Sequence, residues 1–282
     1  MIFIKKIGNT YNQNFYVNDK KSNSVWVGKL SKTLVKKGSN FFDLNERATL
    51  ANRLMEYLNI PTPVSKIVDS NSIKNLFDYN SEDYISDKVW LSIFSGVTLS
   101  EFLKTNSFKD VKNLDIIFDN IVFNLWIGNY DRKDQDILVD QNNNLTFIDY
   151  HLWGPGFKKN SDLCLGAYAE GYDISKVKDT GWCVGAPELL GYIKKIKPSL
   201  RRFNKTIEKI NSIESNNISE MLRDLTFSDE NGNDLENDNF LHHLLSRREK
   251  LVEALSLWIE NHYPMGKRPL DPSKSDNIYE NI

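Results

Sequence analysis

The sequence predicts an α+β fold with two lobes, in which a small antiparallel sheet with one main helix precedes a mostly helical part. Residues 1–95 contain several short runs of β-branched and aromatic residues that are separated by polar turns. One long helical pattern interrupts these runs, and helical patterns dominate the later part of the chain. We therefore expect an N-terminal lobe at 1–95, a C-terminal lobe at 96–264 and a flexible tail at 265–282.

The composition is that of an ordinary globular protein, with 282 residues, 40% hydrophobic and 26% charged. The net charge of −2 gives no basic excess of the kind that indicates a nucleic-acid partner. Cys164 and Cys183 lack metal-ligand spacing and indicate no disulfide framework, which favours a reducing, cytoplasmic environment. The sequence begins without the apolar core of a signal peptide, and no apolar run approaches the roughly 20 residues that span a bilayer, so we expect no membrane association.

The strands of the first lobe are predicted at Ile2–Ile7, Phe15–Val17, Ser22–Leu30, Val64–Val68 and Val89–Phe94. In the third strand Val25, Val27 and Lys29 alternate, so Lys29 shares their face and its stem is expected to lie against the cleft between the lobes. The alternative is a solvent-facing strand lysine, which is the default for this residue type.

The main helix of the first lobe is predicted at Asp43–Leu58, where apolar residues recur at helical spacing. Asp43 and Glu46 form a capping-box-like pair at its start, and the segment 59–63, with two prolines, stops it. Glu46 therefore has two interpretations: it caps its own helix, or it pairs with a cation of the neighbouring sheet.

The second lobe is predicted to begin with a break at Gly96 and a helix capped by Thr98 and Glu101. A second strong helix follows at Leu114–Ile127 and is apolar enough to be buried. Gly128 can end this helix in a left-handed conformation, which would place Asp131 on a loop anchored by a rigid helix.

The remaining helices are predicted at Pro187–Lys195, Ser199–Asn211, Asn217–Leu225 and Asn239–His262. In the last of these, apolar residues mark the face toward the core. The charged residues at 247–250 and Glu253 are interpreted as a solvated face.

A hairpin lies between the helical patterns, because two apolar runs, Ile137–Val139 and Leu145–Ile148, flank a polar turn at 140–144. A hairpin brings its two ends together, so Asp131, Asp136 and Asp149 should converge at one mouth. Three carboxylates at one point repel each other unless cations neutralise them, and hard oxygen ligands suit Mg²⁺. The alternative is an exposed hairpin with a solvated acidic rim.

The spacing of these acids is that of phosphoryl-transfer enzymes of the kinase type, which place a base Asp, a metal ligand five residues later, a hairpin and a second metal-binding Asp. The run Gly-Asn-x-Asp-Arg at 128–132, the Ile-Asp pair at 148–149 and the pattern from Glu46 to Pro63 resemble the HipA-like kinases, which have a protein-kinase-like fold. The chain is similar, more distantly, to lipid kinases of the phosphoinositide type. The resemblance is concentrated in these motifs, Lys29 and Gly96.

This resemblance implies that ATP binds between the lobes, with Lys29 on its phosphates and Glu46 paired to Lys29. Backbone groups near Phe94 and Ser95 would bind adenine. It also implies a Ser/Thr acceptor on a protein substrate, and a regulatory or antitoxin partner is compatible with it.

The resemblance further implies that Asp136 and Asp149 hold Mg²⁺ and that Asp131 accepts a proton from the acceptor hydroxyl or orients it. One departure is that Asp136 stands where most relatives have Asn. Asp is a competent Mg²⁺ ligand, but its extra charge can also repel ATP. Three alternatives therefore stay open: a pseudokinase that binds nucleotide without transfer, a small-molecule phosphotransferase, and a two-lobed binding protein without nucleotide.

Overall fold

The computed structural model describes residues 2–7, 13–19, 24–30, 44–69, 88–93, 96–129, 134–150, 153–155, 191–193, 195, 201–229 and 233–262. The expectations for Phe94, Ser95, Asp131 and the tail at 265–282 lie outside these residues. Of Lys29 the backbone is described and the side chain is not.

The first part of the chain forms a five-stranded antiparallel sheet whose strands lie in the order β1-β2-β3-β5-β4. The strands are β1 (Ile2–Ile7), β2 (Gln13–Asp19), β3 (Ser24–Leu30), β4 (Ser65–Asp69) and β5 (Lys88–Ile93). All five predicted strands are confirmed, with ends that differ from the prediction by no more than about two residues, as is normal for strand boundaries.

Helix α1 (Leu44–Leu58) connects β3 to β4 and confirms the predicted main helix. It ends where Asn59 adopts a left-handed conformation with φ of 59° and the Ile60 N–H donates to the Met55 carbonyl at 2.8 Å. Asn is one of the few residues that tolerate this conformation, and Pro61 follows at once. The stop signal in the sequence therefore acts as predicted.

The second part of the chain is mostly helical. The helices described there are α2 (Leu99–Phe102), α3 (Ile116–Ile127), α4 (Arg201–Asn211), α5 (Ser215–Leu222) and α6 (Asn237–His262). Helix α3 packs against α4 and α6, and α5 packs against α6. The predicted helix at 187–195 is helical at 191–193 and 195, the part that is described.

Two small sheets are also present among the described residues. The first has the order β6-β7-β8, from Val97–Thr98, Ile137–Val139 and Leu145–Phe147, and it contains the predicted hairpin. The second pairs β9 (Phe227–Ser228) with β10 (Asp234–Leu235) and was not predicted. In the described part of the chain no helix combines the length and the apolar character that crossing a bilayer requires.

One hydrophobic core joins α1 to the helices of the second part. Leu50, Leu54 and Leu58 of α1 belong to the same buried cluster as Phe123 of α3 and Trp258 of α6. Helix α1 therefore occupies a position between the sheet and the helical part.

Candidate functional site

The hairpin β7–β8 brings the backbones of Asp136 and Asp149 to one end. Ile137 pairs with Phe147, and beyond this pair the Ile148 N–H donates to the Asp136 carbonyl at 2.9 Å. The predicted convergence of these two positions is thus confirmed for the backbone. The third predicted acid, Asp131, lies outside the described residues.

The opposite end of the hairpin is closed by another acid. The Asp140 carboxylate accepts the N–H groups of Asn142 and Asn144, each at 2.8 Å, and Asn143 has a φ of 63°. Partial burial acts to raise the pKa of Asp140, but the hydrogen bonds from Asn144 and Asn142 outweigh it, so the pKa lies below its ordinary value. Asp140 therefore holds the turn and is separate from the mouth.

The two acids at the mouth are held differently. Asp136 is only 3% exposed, whereas Asp149 is half-buried and has a φ of 71°. A positive φ is uncommon outside glycine, although Asp and Asn adopt it more readily than other residues, and such conformations are enriched at functional sites. Two carboxylates at adjoining backbone positions are a donor set that fits Mg²⁺. Among the described residues no group of three or more acidic, His or Cys side chains is placed to hold a metal ion.

Gly96 fixes the entry to the second part against this hairpin. Its φ is 80°, and a Cβ at this position would lie 1.8 Å from the Val139 carbonyl oxygen. Two residues later, Thr98 caps α2 by accepting the Glu101 N–H at 3.2 Å, as predicted. The strand β6 pairs with β7, so the connection between the two parts packs directly on the hairpin.

The loop expected to carry Asp131 leaves the end of α3. Gly128 adopts the predicted left-handed conformation, with φ of 75°, and its N–H donates to the Asn124 carbonyl at 3.0 Å. The last carbonyls of a helix have no partner within the helix and need others. Here they receive them from α6, because Arg247 Nε donates to the Trp126 carbonyl at 2.5 Å and Arg247 Nη2 donates to that of Leu125.

The prediction that residue 247 belongs to a solvated face is wrong, since Arg247 is 5% exposed. Its guanidinium is buried because it caps α3, and it lies so close to Gly128 that a Cβ there would be 3.1 Å from its Cζ. The sequence contained a signal: residue 247 lies in the spacing Leu244, Arg247, Leu251, which is the apolar stripe of α6.

His243 completes this cap, with Nε2 3.0 Å from the Ile127 carbonyl oxygen. Burial lowers the pKa of His243 to about 3, with further lowering from the positive charge of Arg247, so the ring is neutral at neutral pH. Because a carbonyl only accepts, the neutral ring donates its Nε2–H to it. The end of α3, and with it the start of the Asp131 loop, is therefore fixed by two side chains of α6.

The other predicted residues lie on α1 and β3. Glu46 is buried in the first turn of α1. Lys29 pairs with Trp90 in the register of β3 and β5, and Trp90 pairs with Ile67 of β4. Strand alternation places position 29 on the same face as Ser65, whose hydroxyl accepts from Asn52 of α1 at 2.7 Å. The backbone thus puts position 29 on the sheet face that α1 contacts through Asn52, and Glu46 lies in the first turn of the same helix.

Arg47, next to Glu46, was not singled out in the sequence. It is 1% exposed, and its Nη1 donates to the Trp153 carbonyl at 2.5 Å while the Trp153 indole N–H donates to the Arg47 carbonyl at 3.2 Å. Its Nη2 donates to the Ser228 carbonyl at 3.2 Å, and the guanidinium stacks on Phe240 at 4.9 Å. Helix α1 is therefore clamped to the segment that follows Asp149.

The sheet with one main helix, the helical part and the hairpin between them define a protein-kinase-like fold. A solved structure matches it: the proinflammatory kinase CtkA of Helicobacter pylori, with a TM-score of 0.51 and 10% sequence identity, over 94% of this chain and 96% of the other. No protein-family model matches the sequence, and no curated protein does. The predicted two-lobed α+β fold is confirmed, while the resemblance to the HipA-like family and the lobe boundaries stay predictions.

Proposed function

We propose that this chain is an ATP-dependent kinase that transfers the γ-phosphate to a hydroxyl group. One observation carries the proposal: within a protein-kinase-like fold, the hairpin β7–β8 brings Asp136 and Asp149 to one mouth. The matching solved structure is of a kinase, which favours the same class of reaction. The motif spacing around Asp131 supports the same assignment.

The nucleotide would bind between the sheet and the helical part. Lys29 would contact the phosphates and pair with Glu46, an arrangement that the register of β3 and the burial of Glu46 support. Backbone groups near Phe94 and Ser95, directly after β5, would bind adenine.

Asp136 and Asp149 would hold Mg²⁺, which when bound neutralises charge on the phosphates. The acids would contribute ligands from two backbone positions that the hairpin holds side by side before the nucleotide arrives. Asp131 would accept the proton of the acceptor hydroxyl or orient it. Arg247 and His243 fix the helix end from which its loop departs.

The acceptor class rests on the resemblance to HipA-like kinases, which favours a Ser or Thr hydroxyl of a protein. The same resemblance is compatible with a regulatory or antitoxin partner, and the cysteine usage favours the cytoplasm.

A pseudokinase is the second candidate, because a buried carboxylate at position 136 adds a negative charge where most HipA-like kinases have a neutral amide. Such a protein would bind nucleotide without transferring phosphate. If the charge is what silences it, Asp136→Asn should restore transfer.

The test measures transfer of radiolabelled phosphate from ATP, with Asp149→Asn as the site variant and Asp140→Asn as the control. Both substitutions exchange one oxygen for nitrogen in the same hairpin, at opposite ends. We expect Asp149→Asn to lower transfer by about 100-fold or more, since it weakens the hold on the ion that stabilises the transferring group. Asp140→Asn should stay within about threefold of the wild type, because its remaining oxygen still accepts from the turn.

Binding without transfer by the wild type, with transfer gained in Asp136→Asn, would establish the pseudokinase. An equal loss of phosphate transfer in Asp149→Asn and Asp140→Asn would mean that the hairpin matters only for stability. Absence of a thermal shift with millimolar ATP and Mg²⁺ would contradict both candidates.

A further inference from the structure

A string of four buried polar side chains runs along α3 toward the segment that follows β8. Asn129 Nδ2 donates to Asn124 Oδ1 at 3.0 Å, and Asn124 Nδ2 donates to Asn120 Oδ1 at 2.8 Å. Asn120 Nδ2 in turn donates to the hydroxyl of Tyr150. None of the four residues is more than 2% exposed. We call these four residues the asparagine string.

The asparagine string lies in an apolar environment. Ten of the twelve residues of α3 are buried, and Ile121, Val122 and Phe123 separate the two asparagines within the helix. A buried amide loses its hydrogen bonds to water, so a leucine of similar size would pack in the same place at lower cost in free energy. A fully bonded polar network in a core instead selects one relative arrangement of the groups it joins.

The two ends of the string are next to the two acid-bearing segments. Tyr150 follows Asp149 directly, and Asn129 stands two residues before Asp131. The Oδ1 atom of Asn129 is buried and has no hydrogen-bond partner among the described residues. The string therefore spans from the residue after one acid to the start of the loop that carries the other.

The Tyr150 end is also held from α1. The Trp153 indole N–H, besides donating to the Arg47 carbonyl, lies 3.2 Å from the carbonyl oxygen of Tyr150. Tyr150 is thus fixed through its hydroxyl to α3 and through its backbone to the indole that clamps α1. Movement of the segment after Asp149 would have to break bonds at both places.

We propose that the asparagine string sets the position of Asp149 relative to the end of α3 at Gly128 and Asn129, from which the chain continues toward Asp131, with Asn124 as its central positioning residue. Asn124 bonds to both neighbouring asparagines, so its removal separates the two ends. The catalytic consequence rests on the proposed function, whereas the mechanical coupling does not.

The test compares Asn124→Leu with Thr206→Val. Thr206 is 2% exposed and donates to Asp119, so its variant also loses a partly buried hydrogen bond to α3 but leaves the string intact. Hydrogen–deuterium exchange is followed at 128–136 and 148–155 in the full chain, and kcat and KM for ATP are measured in parallel. Tyr150→Phe, which removes only the terminal hydroxyl, serves if Asn124→Leu fails to fold.

We expect Asn124→Leu to raise exchange in both segments and to lower kcat about tenfold, while KM for ATP changes less than about twofold, because geometry and not ground-state binding is lost. Tyr150→Phe should act in the same direction and more weakly. In Thr206→Val, hydrogen–deuterium exchange in both segments and kcat should stay near the wild-type values.

The coupling between the two segments would be overturned if Asn124→Leu and Tyr150→Phe showed the same exchange as Thr206→Val. Raised exchange with an unchanged kcat in an active wild type would overturn the positioning role. A wild type without any transfer would remove the proposed function, yet exchange would still decide the coupling, so the two failures are distinguishable.

Discussion

Helix α1 is held in different ways on its two sides. Toward the sheet, Asn52 makes two neutral hydrogen bonds: it donates to the Ser65 hydroxyl at 2.7 Å and accepts from that of Thr62 at 2.8 Å. Toward the helical part, cations bond to main-chain carbonyls. Arg47 donates to Trp153 as described, Arg53 donates to Met221 at 2.5 Å, and Lys209 donates to Leu58 at 2.8 Å.

The apolar contacts follow the same division. Leu50, Leu54 and Leu58 of α1 lie in the large cluster that also contains residues of α3, α4 and α6. Buried sheet residues such as Val17 and Leu91 lie outside that cluster. Helix α1 therefore packs with the helical part, although it lies between two strands in the sequence. In the proposed function, Lys29 is carried by the sheet and Glu46 by α1, so their pairing would report on the approach of the two parts.

Among the substitutions that test this comparison at neutral pH, the largest effect is expected for Arg47→Met. The substitution keeps the apolar stem but leaves the carbonyls of Trp153 and Ser228 without their charged donor. We expect a loss of about 2–4 kcal/mol in the free energy of unfolding, since hydrogen bonds to charged groups are strong and buried carbonyls are costly to leave unpaired. Urea denaturation measures it, and a loss below about 1 kcal/mol would contradict the clamp.

Lowering the pH should reduce the free energy of unfolding through protonation of His243. Its pKa is lowered to about 3 in the folded state, so the unfolded chain binds the proton more tightly. The stability that this histidine contributes is complete above pH 6.5 and is lost as the pH falls toward 3, by up to about 1.4 kcal/mol per pH unit. Urea denaturation at several pH values measures the slope, which should be smaller in His243→Gln. An equal slope in the variant would show that other groups cause it.

A smaller loss is expected on the sheet side for Asn52→Leu. This variant loses two neutral hydrogen bonds, to Ser65 and Thr62. We expect the free energy of unfolding to fall by about 1 kcal/mol. If it destabilises more than Arg47→Met does, α1 is anchored to the sheet and the comparison is reversed.

The smallest effect is expected for Asp224→Asn. Arg53 pairs with Asp224 at 2.6 Å, but the Asp224 side chain is 67% exposed, so water screens the pair. We expect a change of no more than about 0.5 kcal/mol, which should shrink further at high salt. A larger loss in denaturation would show that charge at the edge of α1 matters as much as the buried clamp.

The regular elements could be predicted because periodicity and turn residues are local properties. The strand Ile137–Val139, the stop after Leu58 and the cap at Thr98 were all visible in this way. The buried cations were not, because their partners are carbonyls distant in the chain. Arg47 bonds to a residue 106 positions away, and no local pattern at position 47 announces it.

The candidate site also combines features that local sequence predicts with features that depend on distant residues. The hairpin that joins Asp136 to Asp149 could be predicted from two apolar runs and a turn, and its backbone is confirmed. The left-handed conformation of Asp149 and the asparagine string could not, because they depend on how α3 packs against the segment after β8. The roles of Lys29, Glu46 and Asp131 stay predictions.

The most direct test of the central claim is a crystal structure with a non-hydrolysable ATP analogue and Mn²⁺, which replaces Mg²⁺ and gives an anomalous signal. We expect an anomalous peak within coordination distance of the Asp136 and Asp149 carboxylates, beside the analogue's phosphates. A bound analogue whose metal lies away from both acids, or an analogue bound outside the cleft between the sheet and the helical part, would contradict it.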